Sequence, residues 1–170
     1  MLTNNFEEII MTDLCFYQPE HGKELRGFSL PDEQMQFTRL PNKAIDQAIQ
    51  DEKMHPVVVL SGNTAVGFFI LHYGEGIRSF TDNPNAILLR SFSINHIHQG
   101  KGYGKKAMHL VPEFVIEHFP DIDEIVLAVN EKNLAAKQLY EKSGFQDKGN
   151  KRMGPKGMQY ILHYHLDAKK

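Results

Sequence analysis

Apolar and polar positions alternate loosely from Phe6 to Tyr17, then give way to two apolar runs, Pro56–Leu60 and Ala65–Tyr73. Only Ser61-Gly62-Asn63 and Thr64 separate them, a tight polar turn between β-rich segments, which predicts a β-hairpin. The looser first segment predicts an edge strand. Ile87, Leu89, Phe92 and Ile94 form another β-rich run. Beyond it, Tyr103, Ala107, Leu110, Val111 and Phe114 recur at helical spacing. Pro112 falls inside that helix and cannot donate to the Met108 carbonyl, which predicts a kink. Ile122–Val129 is apolar on both faces toward its end and reads as an interior strand. A helix from Lys132 to Lys142 follows, stopped by Ser143-Gly144. Phe145–Lys148 and Met158–Leu166 close the chain as a second hairpin.

The first third is harder to pattern. Pro19–Pro41 is broken by Gly22, Gly27, Pro31 and Pro41, and Pro31 suits the first turn of a short helix. Asn42 is read as the N-cap of a helix through Glu52, with Ala44, Ile45, Ala48 and Ile49 on one face. Gly74–Pro84 is polar and reads as a loop. Strands and helices are mixed rather than strictly alternating. The fold class is therefore α+β, with a mixed sheet in one domain spanning 1–170.

Composition narrows the partners. The chain has 170 residues, 41% apolar and 24% charged, with a net charge of -2. That is ordinary for a globular chain, and the charge gives no support to bulk nucleic-acid binding. The single cysteine, Cys15, excludes an internal disulfide and suits a reducing compartment. No apolar run is long enough for a membrane span, and Met1–Ile10 lacks a basic leader; the expectation is cytoplasmic. Nine histidines raise the question of a metal. His96/His98 and His163/His165 would each share a face if extended, but neither pair has a cysteine or carboxylate at ligand spacing, so no metal is expected.

Chemistry concentrates between the fourth strand and its helix, in S-F-S-I-N-H-I-H-Q-G-K-G-Y-G-K (91–105). Gly100, Gly102 and Gly104 allow a sharp turn and close approach of a ligand to backbone amides. Those amides stand at a helix N-terminus, where free donors and the helix dipole favour a pyrophosphate. Two nucleotide fingerprints fail here. A dinucleotide turn needs G-x-G-x-x-G, and a P-loop needs G-x-x-x-x-G-K-[ST].

What fits is Q-x-x-G-x-G, carried by Gln99, Gly102 and Gly104, followed by N-E-K-N-L-A-A-K-Q-L-Y-E-K-S-G-F from Asn130 to Phe145. In these two motifs the chain resembles the GNAT superfamily of acyl-CoA N-acyltransferases. The resemblance covers Ala65–Phe145 well and the first fifty residues hardly at all. It implies an α/β/α sandwich with a twisted sheet of six or seven strands and about four helices. It also implies acetyl-CoA as acetyl donor, bound through Gln99, Gly100, Lys101, Gly102, Tyr103, Gly104 and Lys105. The amides of Phe92, Ser93 and Ile94 would polarise the thioester, with the pantetheine between Ser93 and Asn130.

Asn133, Ala136 and Tyr140 are spaced i, i+3, i+7 and point the same way on a helix, and the resemblance puts all three against the coenzyme, with Asn133 binding it. The family commonly places a tyrosine at the position of Tyr140 as general acid for the leaving thiolate. A phenol near 10 can protonate a thiolate near 8.5 with modest tuning. The family's frequent glutamate base is missing, with Leu88 and Leu89 in its place. His72, Glu75 and Asp82 are the nearby candidates. Arg90 either pairs with an acidic group or receives a carboxylate of the acceptor. The implied activity is transfer of an acetyl group to a primary amine of a small molecule, of polyamine, amino-acid or amino-sugar type. A protein N-terminal or lysine acetyltransferase, or a catalytically weak acyl-CoA-binding module, remains as alternative, and the sequence leaves homodimer formation open.

Overall fold

The computed structural model describes residues 11–166. In chain order it contains β1 (Thr12–Phe16), α1 (Gly22–Arg26), α2 (Asp32–Met35), α3 (Pro41–Ile49), β2 (Met54–Ser61), β3 (Thr64–Tyr73) and β4 (Ala86–Ile94). Then follow α4 (Tyr103–His118), β5 (Glu124–Asn130), α5 (Leu134–Lys142), β6 (Gln146–Gly154) and β7 (Gly157–His165). The strands form one seven-stranded sheet in the order β1-β2-β3-β4-β5-β7-β6. Neighbours run antiparallel except β4 and β5, which are parallel and joined by α4. A parallel pair needs such a crossover, because a tight turn can only reverse the chain.

Alternation along β3 divides its two faces. Phe69 and Leu71 pack with Met108, Val111 and Val115 of α4 and with Leu127 and Leu162. Phe68 and Ile70 point the other way and pack with Phe28, Ala44, Ile45 and Val58 beneath α1 and α3. Each of these large side chains, fully removed from water, stabilises the fold by ~1.5–3 kcal/mol. Both faces of the central strands are buried, which is why β2 and β3 read as continuous apolar runs rather than alternating ones.

The expectations are met in outline and corrected at the element ends. The edge strand is Thr12–Phe16; Phe6–Ile10 lies outside the described residues. The helix assigned to Asn42–Glu52 is capped by Leu40, carries Pro41 in its first turn and ends at Ile49. Proline's fixed φ suits that first turn, so helix geometry begins one residue before the asparagine. The helix assigned from Lys132 starts at Leu134, because Asn133 is its N-cap and accepts from the Ala136 amide at 3.3 Å. The Gly74–Pro84 loop contains a short helical turn at Glu75–Ile77 that buries Ile77. α4 continues through Pro112. Among the described residues five α-helices stand where about four were expected.

β6 runs to Gly154, well past the expected Lys148. It is a solvent-facing edge strand of mostly exposed residues, so no apolar alternation announces it.

Candidate active site

The site begins where two strands part. β4 and β5 pair only over Ala86–Leu88 and Glu124–Val126. Ser91, at φ 60°, is the only non-glycine residue with positive φ among the described residues, and it coincides with a register shift against β3 between Phe68 and Ile70. A bulge of this kind bends its strand and re-aims the side chains that follow. From Leu89 to Ile94, β4 therefore has no partner on its β5 side. The gap widens into a cavity of about 780 Å³.

At one end of the cavity lies the glycine turn. Gly100 and Gly102 have φ 79° and 85°, a left-handed conformation that other residues adopt only under strain. A Cβ added at either would meet nothing within 4 Å, so open space lies beside both. The Lys106 amide donates to the Gly102 carbonyl at 3.1 Å, and the earlier amides of the first turn of α4 have no helical acceptor. Free amides at a helix N-terminus, beside open space, offer an anion its donors.

The structure brings most of the sequence-predicted residues to this cavity. Phe92, Ser93, Ile94, Gln99, Gly100, Gly102, Tyr103 and Gly104 line it, as do Asn130, Asn133 and Tyr140. Lys101 and Lys105 do not; both are exposed outside its wall. Several polar groups are already occupied. Gln99 Nε2 donates to the Ile94 carbonyl at 2.8 Å, and the Gln99 and Gln34 amides exchange hydrogen bonds at 2.9 and 3.1 Å. Asn130 donates to the Lys156 carbonyl at 3.1 Å and accepts from the Lys132 amide at 2.9 Å. Tyr103 shares a 3.1 Å hydrogen bond with Ser61. Ser93, by contrast, carries a buried hydroxyl with no partner among the described residues.

Tyr140 is 8% exposed, with its ring edge-on to Phe92 and Phe145. No described side chain or carbonyl accepts its proton in a hydrogen bond. Burial pushes its phenol well above the ordinary range. The group is therefore protonated at any ordinary pH, and it borders the same cavity as the glycine turn.

None of the three base candidates lines the cavity. Glu75 and Asp82 border a separate hollow of about 390 Å³ with Lys53 and Arg78. His72 is buried behind the wall, where its Nδ1 accepts from Arg90 Nη1 at 3.3 Å. Burial and the Arg90 charge lower its pKa, against a smaller opposing pull from Asp51.

The histidine pairs also resolve. His96–His98 forms a helical turn, not a strand. His163 and His165 both approach the buried Glu124 carboxylate, at 3.0 and 3.6 Å, a partner that sequence spacing did not reveal. Among the described residues no three His, Cys, Asp or Glu side chains gather as a metal site would require.

Sequence reasoning missed much of the rest of the cavity wall. Phe37, Arg39, Phe80, Arg152 and Lys156 line it together with Arg90, and Gln34 lines it beside Gln99. They come from four separate stretches of chain, and no local pattern links them. In the Pro19–Pro41 stretch, Phe28 and Leu30 are buried beneath the sheet, and Phe37 reaches the cavity.

A sheet split between its fourth and fifth strands, with a glycine turn at the mouth and a buried tyrosine beside it, defines a class. The chain belongs to the Acetyltransferase (GNAT) family, whose model matches residues 22–145. It is 51% identical over 154 residues to the uncharacterized N-acetyltransferase YbbJ of Bacillus subtilis strain 168, covering 90% of this chain and 96% of that one. It is 29% identical over 120 residues to the spermine/spermidine N(1)-acetyltransferase of the same organism, covering 68% and 75%. Among solved structures, the aminoglycoside acetyltransferase AAC(6')-Ib in complex with coenzyme A and kanamycin shares the fold, with a TM-score of 0.76, 18% identity, and 93% and 96% coverage. The protein is an N-acetyltransferase by family. No helix among the described residues is long and apolar enough to cross a membrane.

Proposed function

We propose that this protein transfers the acetyl group of acetyl-CoA to a primary amine of a small molecule, by direct attack in a ternary complex. The observation that carries the reading is the parting of β4 from β5 into one cavity that holds both the Gly100–Gly104 turn and Tyr140. Acetyl-CoA supplies an activated acetyl thioester. The amides at the start of α4 hold its pyrophosphate, and Lys101 and Lys105 add charge outside the wall. The unpaired edge of β4 over Phe92–Ile94 supplies N–H groups toward the thioester oxygen as negative charge develops there. Tyr140, kept protonated by burial, gives its proton to the departing sulfur.

The amine must lose a proton as it becomes an amide. Among the described residues the cavity wall holds no carboxylate, so in this reading the proton leaves through water. A small acceptor is favoured over a protein because the β6–β7 turn reaches across to α2: Lys156 Nζ donates to the Met35 carbonyl at 3.5 Å. The protein is assigned to a reducing, cytoplasmic setting, in keeping with its free Cys15.

The test is titration calorimetry with acetyl-CoA, followed by release of free thiol across a panel of amines. Binding with turnover supports the reading. Binding without turnover on any amine would make the protein an acyl-CoA-binding module, as its missing carboxylate base would allow. Absence of binding overturns both.

A further inference from the structure

The acceptor end of the cavity is built from cations. Arg39, Arg90, Arg152 and Lys156 line it, and among the described residues no Asp or Glu does. A polyamine or an amino sugar would bring several positive charges into that space, and like charges at close range repel. Such acceptors call for a carboxylate wall, which this cavity lacks.

The three guanidiniums are also left without anionic partners. Among the described residues the only arginine–carboxylate contact within 4.0 Å is the remote Arg78–Glu75 pair. Instead, neutral groups hold each one in place. Arg39 donates to Gln47 at 2.6 Å, Arg90 to His72 at 3.3 Å, and Arg152 to Gln159 at 2.8 Å. Arg152 lies over the Phe80 ring at 4.1 Å, and Arg90 approaches the same ring at 6.0 Å. Each guanidinium has five N–H donors, so these contacts orient the forks and leave donors unused. Burial, then the Arg39 charge, then the Arg152 charge press the Arg90 pKa down, in keeping with the three guanidiniums sharing one cavity wall. Three mutually repelling, oriented cations in a cavity form a receptor for an oxyanion.

The pyrophosphate does not account for them. Arg90 precedes Ile94 by four strand residues, on the order of 10 Å at about 3.3 Å per residue, and the glycine turn lies further on still. Arg90 therefore stands mid-strand in β4, that distance short of the pyrophosphate cradle, with Arg39 and Arg152 lining the same cavity.

We propose that the acceptor is an amine that itself carries a carboxylate or phosphate group, seated against Arg39, Arg90 and Arg152 with its amino group directed along β4. The proposal rests on the acetyltransferase reading above and names the acceptor class for that same cavity.

Two measurements separate the failure of one from the failure of the other. The first is calorimetry without acetyl-CoA, using an amino acid, its methyl ester, 2-aminoethyl phosphate and spermidine as probes. The second is kcat/KM for the same four amines at saturating acetyl-CoA. Expected is binding of the free acid or the phosphate at least tenfold tighter than the ester, with spermidine weakest, and the same order in kcat/KM. Whether acid or phosphate leads decides the anionic group. Arg39→Gln and Arg152→Gln should each weaken the anionic amine by tenfold or more while acetyl-CoA affinity changes less than twofold. Arg39 is exposed, so its variant keeps the fold even if the Arg152 variant does not. Equal binding of acid and ester, preference for spermidine, or no binding of either anionic amine overturns the proposal. Turnover on spermidine alone would do so and leave the acetyltransferase reading standing. Anion binding without turnover would keep the arginine receptor and sink the enzyme reading.

Discussion

Arg90 and His72 sit on neighbouring strands with the guanidinium donating to the imidazole Nδ1 at 3.3 Å, so the histidine serves the arginine as a neutral acceptor. A protonated His72 would give up that lone pair and face a second cation. Burial and Arg90 accordingly lower the His72 pKa, and burial lowers that of His55 as well.

The sign of the resulting pH dependence follows from those directions. Below the ordinary imidazole pKa of about 6.5 the unfolded chain takes up protons that the folded one refuses. The contribution of both histidines to stability is therefore complete above pH ~6.5 and lost progressively as pH falls beneath it. Thermal melts at pH 7.5 and 5.5 should show a lower Tm in acid, with a smaller drop in His72→Gln than in the parent. Equal drops would mean that His72 takes no part.

Tyr140→Phe keeps the ring against Phe92 and Phe145 and removes only the hydroxyl. That hydroxyl has no described partner, so the melting temperature should stay within about 2 °C of the parent. Acetyl-CoA affinity should hold while turnover falls by ~10²-fold or more, the usual scale for a positioned acid. Unchanged kcat would return Tyr140 to the core.

At Gly102, strain and charge can be separated. Gly102→Ala adds a Cβ at φ 85° with nothing within 4 Å to strike, so its cost is conformational, ~1–2 kcal/mol. Gly102→Asp adds the same strain and a negative charge beside the cradle. Calorimetry should find acetyl-CoA bound at least tenfold more weakly by the aspartate variant than by the alanine one. Matching affinities would show that no phosphate sits there.

Glu124 tests the far end of β5. It is 5% exposed and accepts from Asn83 at 3.0 Å and from His163 at 3.0 Å. Glu124→Ala strands the buried His163 Nδ1, at ~1–3 kcal/mol for a buried group left unpaired, while Asn83 keeps its 2.8 Å hydrogen bond to Asp123. The variant should melt several degrees lower. Its kcat should be nearly parental, since Glu124 is not part of the cavity wall.

How much of this was legible follows from what each residue answers to. The glycine turn, β2–β5 and α4 declared themselves because local periodicity and backbone φ decide them. The Gln99–Gly104 and Asn130–Tyr140 motifs reached one cavity because each sits beside a strand that periodicity reveals. β6 hid because both its faces are largely solvated. The arginine cluster hid for another reason: Arg90 stood out alone, and Arg39 and Arg152, from the loop before α3 and from β6, are brought to it only by tertiary folding. The capping role of Asn133 was obscured by its place in a motif, where a side chain facing a ligand and one facing its own helix look alike.

The short β4–β5 pairing also has a mechanical meaning. Only three residue pairs join the β1–β4 wing of the sheet to the β5–β7 wing, and they lie together at one end. On the cavity side the sheet is thus open like a clothes-peg, its two wings held by that short ladder and by the core packed on α4. A ligand lying along the open jaws would replace the missing rungs and tie one wing to the other. By mass action such a ligand at a hundredfold excess over its Kd stabilises the folded chain by about 2.7 kcal/mol. The wings, parted to admit a substrate, would then be held most firmly while they grip one.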